Sequence, residues 1–177
     1  MSLKATRHLA RPTTAASATV AASPVHCMDP HSLSRFTDRQ QECFARALRE
    51  IEAGQKRSCW WWYVFPTAPW IVRGVERGSG TNRKYALRGD DAALAFLTFS
   101  ADGVDLGDNF IRIMSAARDR LAEGVTPLRL VGSLDVPKLK SCAKLFERVT
   151  RGREEMRCQA LHPVCDEVLT LLGVARD

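Results

Sequence analysis

Side chains able to do chemistry gather in three places along the 177-residue chain. Lys56, Ser58 and Cys59 directly precede the run Trp60-Trp61-Trp62-Tyr63-Val64-Phe65-Pro66. An ammonium, a hydroxyl and a thiol at the mouth of an aromatic pocket would suit recognition of a small ligand. Asp135, Lys138 and Ser141 repeat at three-residue spacing, near one face of a helix start. Asp135 explains itself there as an N-cap, accepting bonds from free backbone N–H groups. Lys138 and Ser141 have no such explanation, and exposed N–H groups at that helix start could receive an anion. Together with Lys56, Ser58 and Tyr85 they would form a polar rim on the aromatic surface of Trp60 and Trp62. That rim suits a small anionic or nucleotide-like ligand. The competing reading is a buried polar network that fastens the helix to the tryptophans.

The third place is Cys158-x-x-x-His162-x-x-Cys165. Three soft ligands fall short of the four a structural zinc site takes, so no metal is expected. Gly78-x-Gly80 is neither a phosphate-binding loop nor a dinucleotide fingerprint, and no cofactor is expected. His8, His26 and His31 lie in or beside the N-terminal stretch, leaving His162 as the histidine within the domain. No spacing supports a nucleophile–histidine pair, so the sequence assigns no reaction type.

Helices must position these groups. All four tryptophans fall between Trp60 and Trp70. Both faces of that run are apolar in either a strand or a helix, which predicts a central segment wrapped by other elements. Leu33, Phe36, Gln40, Phe44, Leu48 and Ile51 predict a first helix, capped by Ser32 and stopped by Gly54, its apolar face interrupted by Gln40. A glycine-rich loop is expected from Arg73 to Lys84. Asp90 is read as the cap of a short helix carrying Leu94, Phe96 and Leu97, and Asp105 or Asp108 as the start of a longer one ending at Gly124. Thr126-Pro127 opens a short helix that ends at Gly132. The next runs from Asp135 to Arg151, with Leu139, Cys142, Phe146 and Val149 inward, and the last from about Pro163 to Leu172. No alternating strand pattern competes. The fold class read from this is all-α: a single multihelical domain of six or seven helices around a central Trp-rich segment.

Three ordered stretches resemble a known family. Gly54-x-Lys56-x-Ser58-Cys59-Trp60-x-Trp62-Tyr63-Val64-Phe65-Pro66 is similar to the signature of the family called domain of unknown function number 1810. Gly80 to Leu87 and Gly132 to Phe146 are similar to two further segments of it. The resemblance covers roughly residues 33 to 177. It implies an α-helical fold and no established activity. Cys59 stands where the family has His, and Thr67 where it has Gln, two departures whose effect the sequence does not assign.

Composition, with 45% hydrophobic and 26% charged residues, is that of a globular chain. The net charge is +6. Lys4, Arg7 and Arg11 supply +3 within the acid-free residues 1–28, so the remainder is about +3, too weak to indicate a nucleic-acid partner. The apolar run is too short for a span of roughly 20 residues, so no membrane partner is expected. None of the six cysteines forms a Cys-x-x-Cys pair and no secretory segment precedes them, so most should be reduced and buried. Residues 1–28 read as a disordered or mitochondrial-targeting tail, and 29–177 as one helical domain, intracellular in the cytoplasm or mitochondrion. Two function classes stay open: a protein that binds or processes a small anionic or nucleotide-like molecule, and a non-catalytic helical interaction module. Oligomeric state is not assigned.

Overall fold

The computed structural model describes residues 29–175. Residues 1–28, read above as a tail, lie outside the described residues.

Helix α1 (Ser34–Glu52) lays Phe36, Gln40, Phe44, Ala47 and Ile51 against the core, as its periodicity requires. One-turn helix α2 (Trp61–Val64) follows, then the ribbon β1 (Ile71–Val72) and β2 (Val75–Glu76) and short α3 (Gly80–Tyr85). Helix α4 (Asp90–Thr98), a second ribbon of β3 (Ser100–Ala101) and β4 (Val104–Asp105), and α5 (Leu106–Ala122) come next. Short α6 (Pro127–Val131), α7 (Val136–Thr150) and α8 (Met156–Leu171) complete the described chain. Helix α8 packs against both α7 and α5, and α5 also packs on α1 and α4.

Aromatic rings link these helices. Phe96 meets Phe36 edge-on at 5.1 Å and Phe110 at 5.9 Å, and Phe110 reaches Phe146 at 4.2 Å. Into this column Phe65, the residue that ends α2, is inserted, with Trp61 stacked on it and Trp60 stacked on Trp61. Gln40, the interruption in the α1 face, is buried because it ties two elements together. Its amide donates to the Tyr63 carbonyl at 2.7 Å and accepts from Asn109 at 3.0 Å.

Several expectations need correction. Eight helices occur among the described residues, because Trp61–Val64 and Gly80–Tyr85 form short helices of their own. Two small ribbons exist that no alternating pattern announced. Ser32 does not cap α1; the Asp29 carboxylate does, accepting from the N–H groups of Leu33 and Ser34. Asp90 is the first residue of α4 rather than its cap, which is Gly89. Helix α8 begins at Met156 and runs through Pro163. Proline removes the N–H that Gln159 would receive, but Gln159 is exposed, so water can satisfy its carbonyl. Burial also fails beyond Thr67: Trp60 is fully buried, whereas Trp70 is 58% exposed.

A candidate ligand cleft at Lys138

The polar cluster begins with a carboxylate that sequence reasoning missed. The loop after α1 wraps around Glu50. Its carboxylate accepts from the N–H groups of Arg57 at 2.8 Å and Ser58 at 3.1 Å, from the Ser58 hydroxyl at 2.5 Å, and from the Trp60 indole at 2.8 Å. Burial pushes this carboxyl up, but the Ser58 hydroxyl and the other donors outweigh it and hold it down at about 2. Charged hydrogen bonds of this kind are the strong ones. They fix the loop that carries Lys56, whose own N–H donates to the Leu130 carbonyl at 2.7 Å. Lys56 thereby meets the start of α7, although Lys138 lies 82 positions further along the chain.

Asp135 stands between the two lysines. Its carboxylate is 2.9 Å from the Lys56 ammonium and 2.6 Å from that of Lys138. It makes no side-chain cap bond to α7, contrary to the sequence reading. The reason lies in the next residues: the Val136 N–H donates to the Gly132 carbonyl, and Pro137 has no N–H. The same two facts remove donors expected there for an anion. The lysines also cover indole faces, Lys56 at 5.6 Å from the Trp60 ring centre and Lys138 at 4.6 Å from that of Trp62. A cation above an indole is attracted by the ring's negative face.

Beside Lys138 opens a cleft of about 670 Å³. Trp62, Pro69, Trp70, Ile71, Leu134 and Pro137 form most of its apolar wall. Thr67, Ser79, Asn82, Lys138 and Ser141 add polar atoms. The Lys138 side chain keeps 32% of its surface exposed, against 15% for Lys56, so Lys138 is the cation a ligand can reach. The Asn82 Oδ1 is shielded from water and has no hydrogen-bond partner, which leaves an unsatisfied acceptor on a wall residue. A side chain at Gly78 would collide with that amide, its Cβ falling 2.8 Å from the Asn82 Cγ.

The structure thus brings Lys56, Asp135 and Lys138 together, and sets Trp62, Lys138 and Ser141 on the cleft wall. The remaining candidates are engaged elsewhere. Ser58 belongs to the Glu50 clamp, and Trp60 is sealed in the core. Cys59 is exposed and is not part of the wall. Tyr85 packs edge-on against Phe36 and Tyr63 in the core, where burial raises its phenol. Trp70, Ile71, Leu134 and Asn82 are wall residues the sequence reading left out.

Two further hollows carry less. One of about 530 Å³ between α1 and α5 is lined by charges of both signs, with Glu52 and Asp119 against Arg112 and Arg120. One of about 320 Å³ contains Arg35, but that guanidinium already donates to the carbonyls of His31, Ser32, Lys84 and Ala86. His162 Nδ1 lies against the Glu147 carbonyl and the Thr150 hydroxyl, so the ring caps the end of α7. No metal-holding group of three or more His, Cys, Asp or Glu occurs among the described residues.

Comparison with known proteins agrees with the fold. The chain is similar to a crystal structure of the conserved hypothetical protein Rv1873 from Mycobacterium tuberculosis, with 24% identity and a TM-score of 0.67. The match covers 84% of this chain and 93% of that one. No curated protein matches the chain. The model of a protein family of unknown function, DUF1810, matches residues 30–168, and the chain therefore belongs to that family.

Proposed function

We propose that the cleft binds a small organic anion with a flat or branched apolar body and one negative charge. The observation that carries this is the placement of Lys138. Its ammonium is the accessible cation on a largely apolar wall, and it is oriented by both Asp135 and the Trp62 ring. The volume falls within the roughly 300–1,000 Å³ of small-molecule sites. The charge count narrows the class. Lys56, Asp135 and Lys138 sum to +1, which matches a carboxylate or a phosphodiester. A nucleotide with two or more phosphate charges would lack partners, so the nucleotide-like ligand is the weaker form of the sequence expectation. Trp70, Ile71 and Leu134 would cover the apolar body; the Ser141 hydroxyl on the same wall donates to the Pro137 carbonyl at 3.1 Å, which leaves the charge to Lys138.

A second reading has its own observation. Leu134 at 80% and Trp70 at 58% exposure give the cleft an apolar rim, as an interaction module would have. The lysine arrangement favours the small anion, since a purely apolar contact needs no oriented cation. A thermal-shift screen of aromatic and aliphatic monocarboxylates against nucleotides tests the proposal. A ligand at 100 times its Kd stabilises by about 2.7 kcal/mol. The monocarboxylates should raise Tm and the nucleotides should not. Stabilisation by nucleotides alone, or by neither class, would overturn it.

A further inference from the structure

A cross-strand pair on a ribbon is ordinarily covered on one face by the body of the protein. The β1–β2 ribbon is not. Its register pairs Val72 with Val75 and Ile71 with Glu76. The Arg77 N–H donates to the Trp70 carbonyl at 2.7 Å and extends the pairing by one step. Side chains alternate along a strand, so Trp70, Val72 and Val75 share one face. All three are exposed, and so is Ile71 on the other face. The turn residues Arg73 and Gly74 have φ of 50° and 76°, the left-handed pair of a tight two-residue hairpin. The apolar residues therefore sit at the tip of a turn. Arg73 and Arg77 flank them and are exposed as well. The one acid of the ribbon, Glu76, is engaged by Arg88 at 2.8 Å.

Size and charge choose the partner. The three apolar side chains of one ribbon face make a patch of at most a few hundred Å². A stable protein interface covers about 800 Å² on each partner, well beyond what a turn supplies. A bilayer surface asks for less: Trp settles at headgroup depth, aliphatic side chains enter the boundary beside it, and Arg pairs with anionic headgroups. We propose that residues 70–77 form a contact for an anionic membrane surface. No helix of the described residues is long and apolar enough to cross a membrane, and this contact does not need one. The sequence expectation of no membrane partner considered spans alone. Trp70 and Ile71 also belong to the cleft wall, so the contact adjoins the cleft; Val72 and Val75 do not line it, and a change at Val75 separates the two.

The test is co-sedimentation of the full chain with phosphatidylcholine vesicles, with and without 30% phosphatidylserine. Binding should require phosphatidylserine and weaken as salt rises. Val75→Asp should lower the partition at least tenfold, and Arg77→Gln about fivefold, as removal of one surface cation does. Brominated lipid should quench the parent's tryptophan emission, and Trp70→Phe should remove most of that quenching, since Trp60 and Trp61 are buried and Trp62 is half-buried. Because Val75 is exposed, Val75→Asp should keep the parent Tm and the parent's carboxylate affinity. A parent that fails to bind, equal binding to both vesicles, or unchanged binding by Val75→Asp would overturn the proposal. So would a dimer in solution that Val75→Asp dissociates, which would assign the tip to a second copy of the chain.

Discussion

Glu50→Gln isolates the charge of the clamp with little change of shape. The amide can keep its oxygen towards the Arg57, Ser58 and Trp60 donors and turn its NH₂ towards the Ser58 hydroxyl. What it loses is the negative charge that those donors stabilise. A carboxyl held at about 2 rather than its ordinary 4.5 corresponds to about 3 kcal/mol of folding stability. The site is half-buried, and solvent screening leaves about 2–3 kcal/mol. The sign follows from the depressed value. This stability is complete above pH 4.5 and is lost as pH falls from there towards 2. Urea denaturation of parent and variant, repeated from pH 7 to pH 2.5, measures it. At neutral pH the variant should be about 2–3 kcal/mol less stable, and the two should converge at the acid end. A gap that stays constant over the whole range would refute the clamp, because a steric defect does not titrate with one carboxyl.

Other substitutions separate core from cleft. Trp60→Ala should cost about 3–5 kcal/mol, as truncation of a fully buried aromatic does, while Trp62→Ala, at a partly buried position on the edge of the core, should cost about 1–2; equal denaturant midpoints for the two would contradict the burial difference. Gly107→Ala should destabilise by on the order of 3 kcal/mol in the same assay, because its Cβ would fall 2.0 Å from the Leu97 carbonyl oxygen, where α5 approaches the end of α4. A variant with the parent's stability would mean that this close approach can relax.

The helices were legible because their apolar faces keep the helical period. Leu139, Cys142, Phe146 and Val149 were placed inward and are buried. Thr126-Pro127 and Gly132 bound α6 as read. Glu50 was not legible, since an acid near the end of an amphipathic helix looks solvated until the following loop folds back on it. Pro163 misled because a proline penalty depends on whether the freed carbonyl reaches water, which the sequence does not display. The site divides the same way. Lys56, Asp135 and Lys138 could be joined because the α7 face that must cover the tryptophans carries two of them. Ser58 and Tyr85 could not be sorted from them by residue type, because hydroxyls serve clamps and core edges as readily as clefts. Trp70 shows the limit of counting aromatics: Pro66 and Pro69 turn the chain out of the core before that residue.

The central claim is that Lys138 reads a negative charge on a ligand whose body lies on the cleft's apolar wall. A carboxylate found in the thermal-shift screen and its neutral primary amide make a matched pair, and titration calorimetry on the parent and on Lys138→Ala gives four affinities. Loss of a charged hydrogen bond is worth about 1.5–3 kcal/mol, or about 10- to 150-fold. Lys138→Ala should weaken the carboxylate by that factor and leave the amide within about twofold. An equal loss for both ligands, or none for either, would contradict the claim.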